Sequence, residues 1–383
     1  MAEESETSRF FRILDNVRTD FITRDAYVRE GVPTFIVPMD TETTNKINRL
    51  ATRLAPEGLG LVVNQRESDV MLQIVPVQAI SRAKTRLSSP SIPLLLFLAT
   101  IVTVSISGYY TSLDYVDVLR SLGQIVRNNE ATITWTQTAL YTITIMSAVG
   151  LHEVGHYLAA RRHGVKATFP YFIPGIPRIT FGTFGAFIRQ ESPAANRNQL
   201  FDIGVAGPVI SFVISMIASA VGYSISLPIT RQQYLQIFGS QGSGFIFPPL
   251  IFLLLRSYVF PAANAYTIIL HPLALAGWAG TLITFLNAFP IGQLDGGHVF
   301  RALLGRTWHR RVGYAMTLLM FLAGWWPMAI LVLLLVRVNH PGTMNDSVPL
   351  SKSRKLIGLA FTVMFVAVFT LSPESPLLLL LYG

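Results

Sequence analysis

The sequence predicts an α-helical polytopic membrane protein of about six to seven membrane helices, with a re-entrant β-hairpin or short sheet near its metal-binding motif and a small N-terminal α+β soluble domain. Two features of its composition lead to this prediction. Hydrophobic residues make up 51% of the chain and charged residues only 13%, whereas soluble domains have about 25% charged residues. Several apolar runs of spanning length are bordered by Lys and Arg, as membrane helices are on their cytoplasmic side.

The net charge of +9 and the pI of about 9.9 raise the question of nucleic-acid binding. The basic residues lie beside the apolar runs, so we attribute them to contact with the lipid bilayer and expect no nucleic-acid partner. The chain contains no cysteine. Disulfides and thiolate metal sites are therefore excluded, and any metal must be held by His and carboxylate groups.

Residues 1–88 are expected to form the soluble domain. Residues 33–38, 61–63 and 70–75 have the composition of strands, and Thr43–Leu54 has the apolar spacing of a helix. This pattern favours an α+β sandwich of ferredoxin-like type without a catalytic constellation. Its role is either that of a solvated cap or that of a regulatory, substrate-filtering domain.

Residues 89–136 are expected to contain the first membrane helix, at about residues 92–110, and an outer loop. The basic cluster at residues 82–86 precedes this helix, which predicts a cytoplasmic N-terminus. The second helix, at about residues 138–161, then returns to the cytoplasmic side.

The second predicted helix carries a His-Glu-x-x-His motif at residues 152–156. Residues four apart share one face of a helix, so His152 and His156 can bind one metal ion while Glu153 acts as general base. A catalytic zinc site has three protein ligands and one open position. The competing interpretation is a helix with chance histidines, but ionisable groups in hydrocarbon are costly and indicate a functional site. The motif therefore predicts a zinc hydrolase with one Zn2+ per chain.

Residues 165–191 do not fit a spanning helix. They contain three prolines and a β-rich stretch at residues 179–188. Irregular backbone at membrane depth is tolerated only where protein or water surrounds it. We expect a hairpin or short sheet that dips toward the metal and offers its unpaired edge to an extended substrate. A cytoplasmic loop with one strand is the alternative.

Two more segments precede the fourth helix. The third helix is expected at about residues 200–225, where small residues at 204–208 would allow close helix packing. The apolar run at residues 245–255 is short for a span and is expected at the outer interface. The fourth helix is expected at about residues 265–289.

The segment at residues 287–297, with the sequence Asn-Ala-Phe-Pro-Ile-Gly-Gln-Leu-Asp-Gly-Gly, offers a third ligand. Pro290 breaks the fourth helix, and Asp295 beside flexible glycines can turn its carboxylate inward. An Asp-Gly-Gly sequence is otherwise a common turn. The topology places Asp295 at the depth of the two histidines. His271 and His298 are the rival ligands, of which His271 is expected far away in depth and His298 suits a supporting role.

Residues 305–383 are expected to form a membrane hairpin and a last membrane helix. The apolar run at residues 312–336 is broken at residues 324–327 and has basic residues at both ends. Such ends favour two shorter helices that return to the cytoplasm. The last helix, at about residues 356–371, would then leave the C-terminus outside.

These motifs resemble those of the site-2 protease family of intramembrane zinc metalloproteases. The match rests on residues 152–156 and 287–297, which lie on predicted membrane helices in the family's order. Three further stretches are similar to the branch with archaeal, cyanobacterial and chloroplast members, namely residues 181–186, 271–278 and 341–346. The resemblance covers about residues 139–372.

The resemblance implies a role for each motif residue. His152, His156 and Asp295 would bind zinc, and Glu153 would be the general acid and base. Asn287 would help to hold the substrate or the developing oxyanion.

The predicted function is that of an endopeptidase that cuts single-span transmembrane proteins in or beside their membrane helices, with residues 137–304 as its membrane core and an active site open to the cytoplasm. Some family members carry a PDZ-like insert, and none is evident here, so substrate filtering is assigned to residues 1–88. Two alternatives remain open. One is a membrane transporter or metal-binding membrane protein, and the other is a catalytically inactive relative. The sequence does not indicate an oligomeric state.

Overall fold

A computed structural model describes residues 6–29, 31–40, 42–66, 69–76, 91–124, 129–190, 194–239, 248–260, 267–337, 342–343 and 348–372. The chain divides into two compact units. The first comprises Met1–Ile92, Ser192–Leu200 and Pro341–Leu350, and the second comprises Pro93–Glu191, Phe201–His340 and Ser351–Gly383. The predicted basic cluster at residues 82–86, and all of the stretch 341–346 except residues 342–343, lie outside the described residues.

The first unit contains a four-stranded antiparallel sheet with two helices. Its elements are α1 (Glu6–Arg18), β1 (Asp25–Arg29), β2 (Val32–Pro38), α2 (Thr43–Leu54), β3 (Leu59–Arg66) and β4 (Asp69–Pro76). The strands lie in the order β1-β2-β4-β3, and each neighbouring pair is antiparallel. Apolar side chains of both helices and all four strands share one buried or partly buried cluster.

The helix predicted at Thr43–Leu54 is confirmed with these bounds, and Ile47, Leu50 and Leu54 are buried on one face. The ferredoxin-like topology is wrong, because that fold repeats strand-helix-strand units. Here β1 and β2 form one hairpin and β3 and β4 form another, so no crossover helix joins paired strands. That this unit is a separate soluble domain stays a prediction.

The rest of the described chain is mostly helical. Its helices are α3 (Ser91–Ser121), α4 (Glu130–Arg162), α5 (Arg197–Ser224), α6 (Arg231–Phe238), α7 (Leu250–Val259), α8 (Pro272–Ala288), α9 (Asp295–Leu322), α10 (Trp326–Arg337) and α11 (Lys352–Ala367). Two antiparallel strand pairs accompany them, β5 (Tyr171–Pro174) with β6 (Thr183–Phe187) and β7 (Leu227–Ile229) with β8 (Thr267–Ile269).

The predicted fourth helix begins later in the chain than expected. It begins only at Pro272, because His271 is its N-cap and a proline fits the first helical position, where no backbone N–H is needed. Residues 267–269 pair with β7 as a strand instead. The break predicted at residues 324–327 is confirmed within two residues, since α9 ends at Leu322 and α10 begins at Trp326.

Helix α5 has the surface of a helix surrounded by lipid. Among the described residues, α3 and α5 are the helices long and apolar enough to cross a membrane. The buried face of α5 carries hydroxyl groups and its exposed face carries aliphatic side chains, the first being Ser211, Ser215 and Ser219 and the second Val209, Val213, Ile217 and Val221. A soluble helix shows the opposite arrangement. The count of about six to seven membrane helices stays a prediction.

Candidate metal centre

Helix α4 and the first residue of α9 bring His152, His156 and Asp295 together. Nε2 of His152 lies 2.9 Å from Oδ2 of Asp295, and Nε2 of His156 lies 3.2 Å from Oδ1. The two Nε2 atoms are 3.0 Å apart. Both histidines are buried, and Asp295 is partly buried. In the described part of the chain, this is the group whose ligand atoms could hold a metal ion.

The hydrogen bond between His156 and Ile203 shows which ring nitrogen of His156 is protonated and which can act as a metal ligand. Its Nδ1 lies 2.7 Å from the carbonyl oxygen of Ile203. A carbonyl oxygen only accepts, so Nδ1 carries a proton and donates it. In the neutral ring, Nε2 then carries a lone pair that points at Asp295.

His152 is oriented by a chain of hydroxyl groups. Its Nδ1 lies 3.0 Å from Oγ of Ser211, which lies 2.9 Å from Oγ1 of Thr284. Thr284 donates its own proton to the carbonyl oxygen of Gly280 at 2.9 Å. The carbonyl oxygen of Pro208, 3.2 Å from Oγ of Ser211, is a second acceptor for the Ser211 proton. With that proton donated to Pro208 or Thr284, Ser211 accepts from Nδ1 of His152, and Nε2 of His152 again carries a lone pair.

Two imidazole lone pairs and a carboxylate thus converge on one buried point. No proton is left to share among them in the neutral rings, so their mutual repulsion favours a bound cation. Imidazole nitrogen and carboxylate oxygen are ligands that Zn2+ prefers in proteins, and each imidazole has the hydrogen-bonded second nitrogen typical of metal sites. The residues fit Zn2+.

Helix α5 supplies no atom to the group but contacts all three of its members. A Cβ on Gly207 would lie 2.2 Å from Nε2 of His156 and 2.8 Å from Cδ2 of His152. One on Gly204 would lie 3.2 Å from the carbonyl oxygen of Asp295. The close packing predicted for residues 204–208 is confirmed, and its purpose is to let α5 lie flat against the imidazole rings.

The turn before Asp295 requires its two following glycines. The chain folds back between α8 and α9, and a Cβ on Gly296 would lie 1.9 Å from the carbonyl oxygen of Ala288. One on Gly297 would lie 2.4 Å from the carbonyl oxygen of Gly292. A side chain at either position would force backbone apart. The tight turn places Asp295 in the first turn of α9, where free backbone N–H groups favour a carboxylate.

Glu153 lies beside the group and connects it to the hairpin of β5 and β6. Its Oε1 is 4.0 Å from Nε2 of His152, and the side chain is 8% exposed. The backbone N–H of Ile188, directly after β6, lies near the carboxylate and stabilises its charged form. The predicted short sheet is therefore present, and it contacts the predicted general base.

The other predicted residues do not join the group. Asn287 lies in the last turn of α8, partly buried, and its side chain has no hydrogen-bond partner among the described residues. His271 caps α8, since its Nδ1 accepts from the N–H of Leu273 at 3.1 Å. His298 is partly buried one turn after Asp295 and is not a member of the group.

The supporting residues Ile203, Ser211 and Thr284 were not predicted from the sequence. The four-residue spacing of Ser211, Ser215 and Ser219 indicates a hydroxyl-bearing helix face. Spacing alone does not tell which of these hydroxyls meets His152.

Fold and site together define a class of protein. The site combines a buried His-Glu-x-x-His helix with an aspartate, and the helices around it have apolar outer faces. This is the arrangement of a zinc peptidase site in a membrane-type helical fold. Residues 140–326 match the model for Peptidase family M50. This part of the chain is therefore similar to that family.

Similar proteins include plant enzymes. The chain is 33% identical over 236 residues to "Probable zinc metalloprotease EGY1, chloroplastic" of Arabidopsis thaliana, covering 60% of this chain and 42% of that protein. It is 32% identical over 182 residues to "Probable zinc metalloprotease EGY2, chloroplastic" of Oryza sativa subsp. japonica, covering 45% and 30%. The matched region is thus less than half the length of these relatives.

Among solved structures, the "Site-2 Protease from Methanocaldococcus jannaschii" is similar at 18% identity, with 64% of this chain and 89% of that chain covered. The TM-score is 0.28, which supports no statement about shared geometry.

The first testable prediction concerns Gly207. Replacing Gly207 with Ala should weaken Zn2+ binding by about ten-fold or more, because the new methyl group displaces imidazoles that other contacts hold in place. Competition with a chromophoric chelator measures this. Gly313→Ala is the matched control, since a Cβ there has its nearest atom 3.8 Å away. Equal zinc affinity of Gly207→Ala and wild type would contradict the packing argument.

The second prediction concerns Ser211. Replacing Ser211 with Ala removes the acceptor for Nδ1 of His152 and should lower zinc affinity by about ten-fold. Ser215→Ala is the control, because Ser215 lies one turn further along α5, is fully buried and has a hydroxyl without a partner among the described residues. If both variants lose affinity equally, the relay from His152 to Thr284 has no special role.

Proposed function

We propose that the protein is an intramembrane zinc endopeptidase that hydrolyses peptide bonds within or next to the transmembrane helices of single-span proteins. The observation that carries the proposal is the convergence of His152, His156 and Asp295 with Glu153 beside them. A transport site or a purely structural metal site has no need of a second carboxyl group, placed one residue from the first ligand. The match of residues 140–326 to the model for Peptidase family M50 supports the same conclusion.

Each residue has a separate part in the proposed reaction. His152, His156 and Asp295 would hold Zn2+, which supplies Lewis acidity that polarises the scissile carbonyl and lowers the pKa of water. Glu153 accepts a proton from the attacking water and later delivers it to the departing amine. Burial of Glu153 limits its access to bulk water, so its proton stays available for the leaving group.

The hairpin next to Glu153 is a suitable place for the substrate chain. The strands β5 and β6 pair only with each other among the described residues, so each has a free edge. An extended peptide could pair with such an edge and present its backbone to the site. Asn287, partly buried and without a partner in the described chain, remains our candidate for a contact to the substrate.

We propose that the protein crosses the membrane several times, with the N-terminus and the opening of the site on the cytoplasmic side. The support comes from Arg161 and Arg162 at the end of α4. His152 lies nine residues before Arg161, which corresponds to about 13 Å of helix rise. The metal centre would then lie below the surface of the membrane.

The third prediction tests the proposed base. Glu153→Gln keeps the size of the side chain but cannot accept the proton. The purified variant should retain about one zinc per chain and cleave a single-span model substrate at least about 100-fold more slowly than wild type. Zinc content and cleavage in detergent measure the two effects separately.

Two other outcomes of this experiment, and one further variant, would be informative. Undiminished cleavage by Glu153→Gln would refute its role as base. If wild type binds zinc but cuts none of several helices, the transporter or inactive-relative interpretation gains support. Asp295→Ala should lose zinc, and zinc retention would remove Asp295 from the ligand set.

The fourth prediction concerns the substrate. A transmembrane helix hides its carbonyl groups in internal hydrogen bonds, so it must unwind locally before cleavage. Replacing a Gly near the cut with Ala makes the helix about 1 kcal/mol more favourable and should slow cleavage about five-fold. The same replacement two turns away serves as control. An unchanged rate would count against local unwinding.

A further inference from the structure

The last described helix, α11, is tied to the region of the metal centre by an ionic cluster. Nε of Arg354 donates to Oδ1 of Asp202 at 2.7 Å, and its Nη2 donates to Oδ2 at 2.6 Å. Nε2 of His163 lies 2.8 Å from the same Oδ2. A carboxylate in such a bidentate pair only accepts, so His163 also donates. We call Arg354, Asp202 and His163 the clamp.

The clamp joins the ends of three helices. Asp202 is in the second turn of α5, His163 is the residue that follows α4, and Arg354 is in the first turn of α11. The three side chains are only 20–28% exposed. This contact is stronger than an ordinary surface ion pair, because it is partly shielded from solvent and because the guanidinium of Arg354 makes two hydrogen bonds to the carboxylate of Asp202.

Asp202 directly precedes the part of α5 that contacts the metal centre. The carbonyl oxygen of the next residue, Ile203, accepts the hydrogen bond from His156. One turn further, Gly207 packs against both imidazole rings. A change in the position of Asp202 would therefore shift the first turns of α5, which contact both histidines.

The same helix α11 also supports the aspartate side of the centre. Phe365 stacks on Phe285 of α8 with ring centroids 6.0 Å apart, and it meets Phe289 edge-on at 5.0 Å. Phe289 is the residue at which α8 gives way to the turn that leads to Asp295. Helix α11 thus contacts residues next to the supports of the proposed ligands, since Asp202 precedes Ile203 and Phe285 follows Thr284 in the chain.

We propose that α11 is a positioning element of the metal centre, and that Arg354 and Asp202 are positioning residues that set zinc affinity by fixing α5 against His156. Helix α11 lies outside residues 140–326, which match the family model. The inference rests on the proposed function, since it takes His152, His156 and Asp295 as zinc ligands.

The fifth prediction tests the clamp on the full chain in detergent. Arg354→Gln should weaken Zn2+ binding by about ten-fold or more, and Arg354→Lys, which keeps the charge but loses the fork, should have a smaller effect. Zinc competition and the absorption spectrum of bound Co2+ provide the readouts. Lys355→Gln is the matched control, because it removes the same charge from an exposed neighbour in the same turn.

A double variant separates positioning from general destabilisation. Asp202→Asn combined with Arg354→Gln should weaken zinc binding no more than the more harmful single variant, because both act through one contact. Lower thermal stability with unchanged zinc affinity and an unchanged Co2+ spectrum would overturn the inference, since the clamp would then be merely structural. If Arg354→Gln does not fold, Arg354→Lys decides the question by the same readouts.

The outcomes also separate this inference from the proposed function. A wild-type chain that binds no zinc would refute the proposed function and this inference together. If the wild type binds zinc and cleaves substrate, and the clamp variants bind zinc as tightly as the wild type, this inference alone would be refuted.

Discussion

The structure depends on the contact between Gly207 of α5 and the imidazole rings of His152 and His156. The rings occupy the space that any side chain at this position would need. Because α5 lies so close, its backbone carbonyl at Ile203 and its hydroxyl at Ser211 reach the outer nitrogen of each ring. Helix α5 carries none of the proposed zinc ligands. Its contacts nevertheless determine which nitrogen of His152 and of His156 is protonated, and they direct both lone pairs to one point.

This arrangement divides the work among separate elements. Helix α4 and the start of α9 present the acceptors, α5 orients the imidazoles, and α8 closes the relay through Thr284. The tight turn between α8 and α9 places Asp295 at the start of α9, beside the two histidines. Since each acceptor is costly to bury alone, a cation and the surrounding hydrogen bonds are needed together.

The sequence predicted the elements whose pattern is local. The helix at Thr43–Leu54 and the hairpin after α4 follow from apolar spacing and β-rich composition, and the break at Pro290 follows from the missing backbone N–H. Helix α1 and strand β1 were missed. The order of the N-terminal sheet was also missed, because β2 pairs with β4, which lies far away in sequence. The start of the fourth helix was placed too early, since apolar composition does not distinguish the strand at residues 267–269 from a helical turn.

By itself, the sequence determined which side chains meet on one face of a helix, because a spacing of four residues fixes the relation of His152 to His156 whatever surrounds them. It also indicated a turn at the two glycines after Asp295, whereas the close backbone approach that excludes any side chain there is seen only in the structure. The tertiary structure alone decided which of three equivalent serines orients His152 and which basic residue binds Asp202. Arg354 is 152 positions away from Asp202, and such a pair has no periodic signal, since the packing of whole helices brings it together.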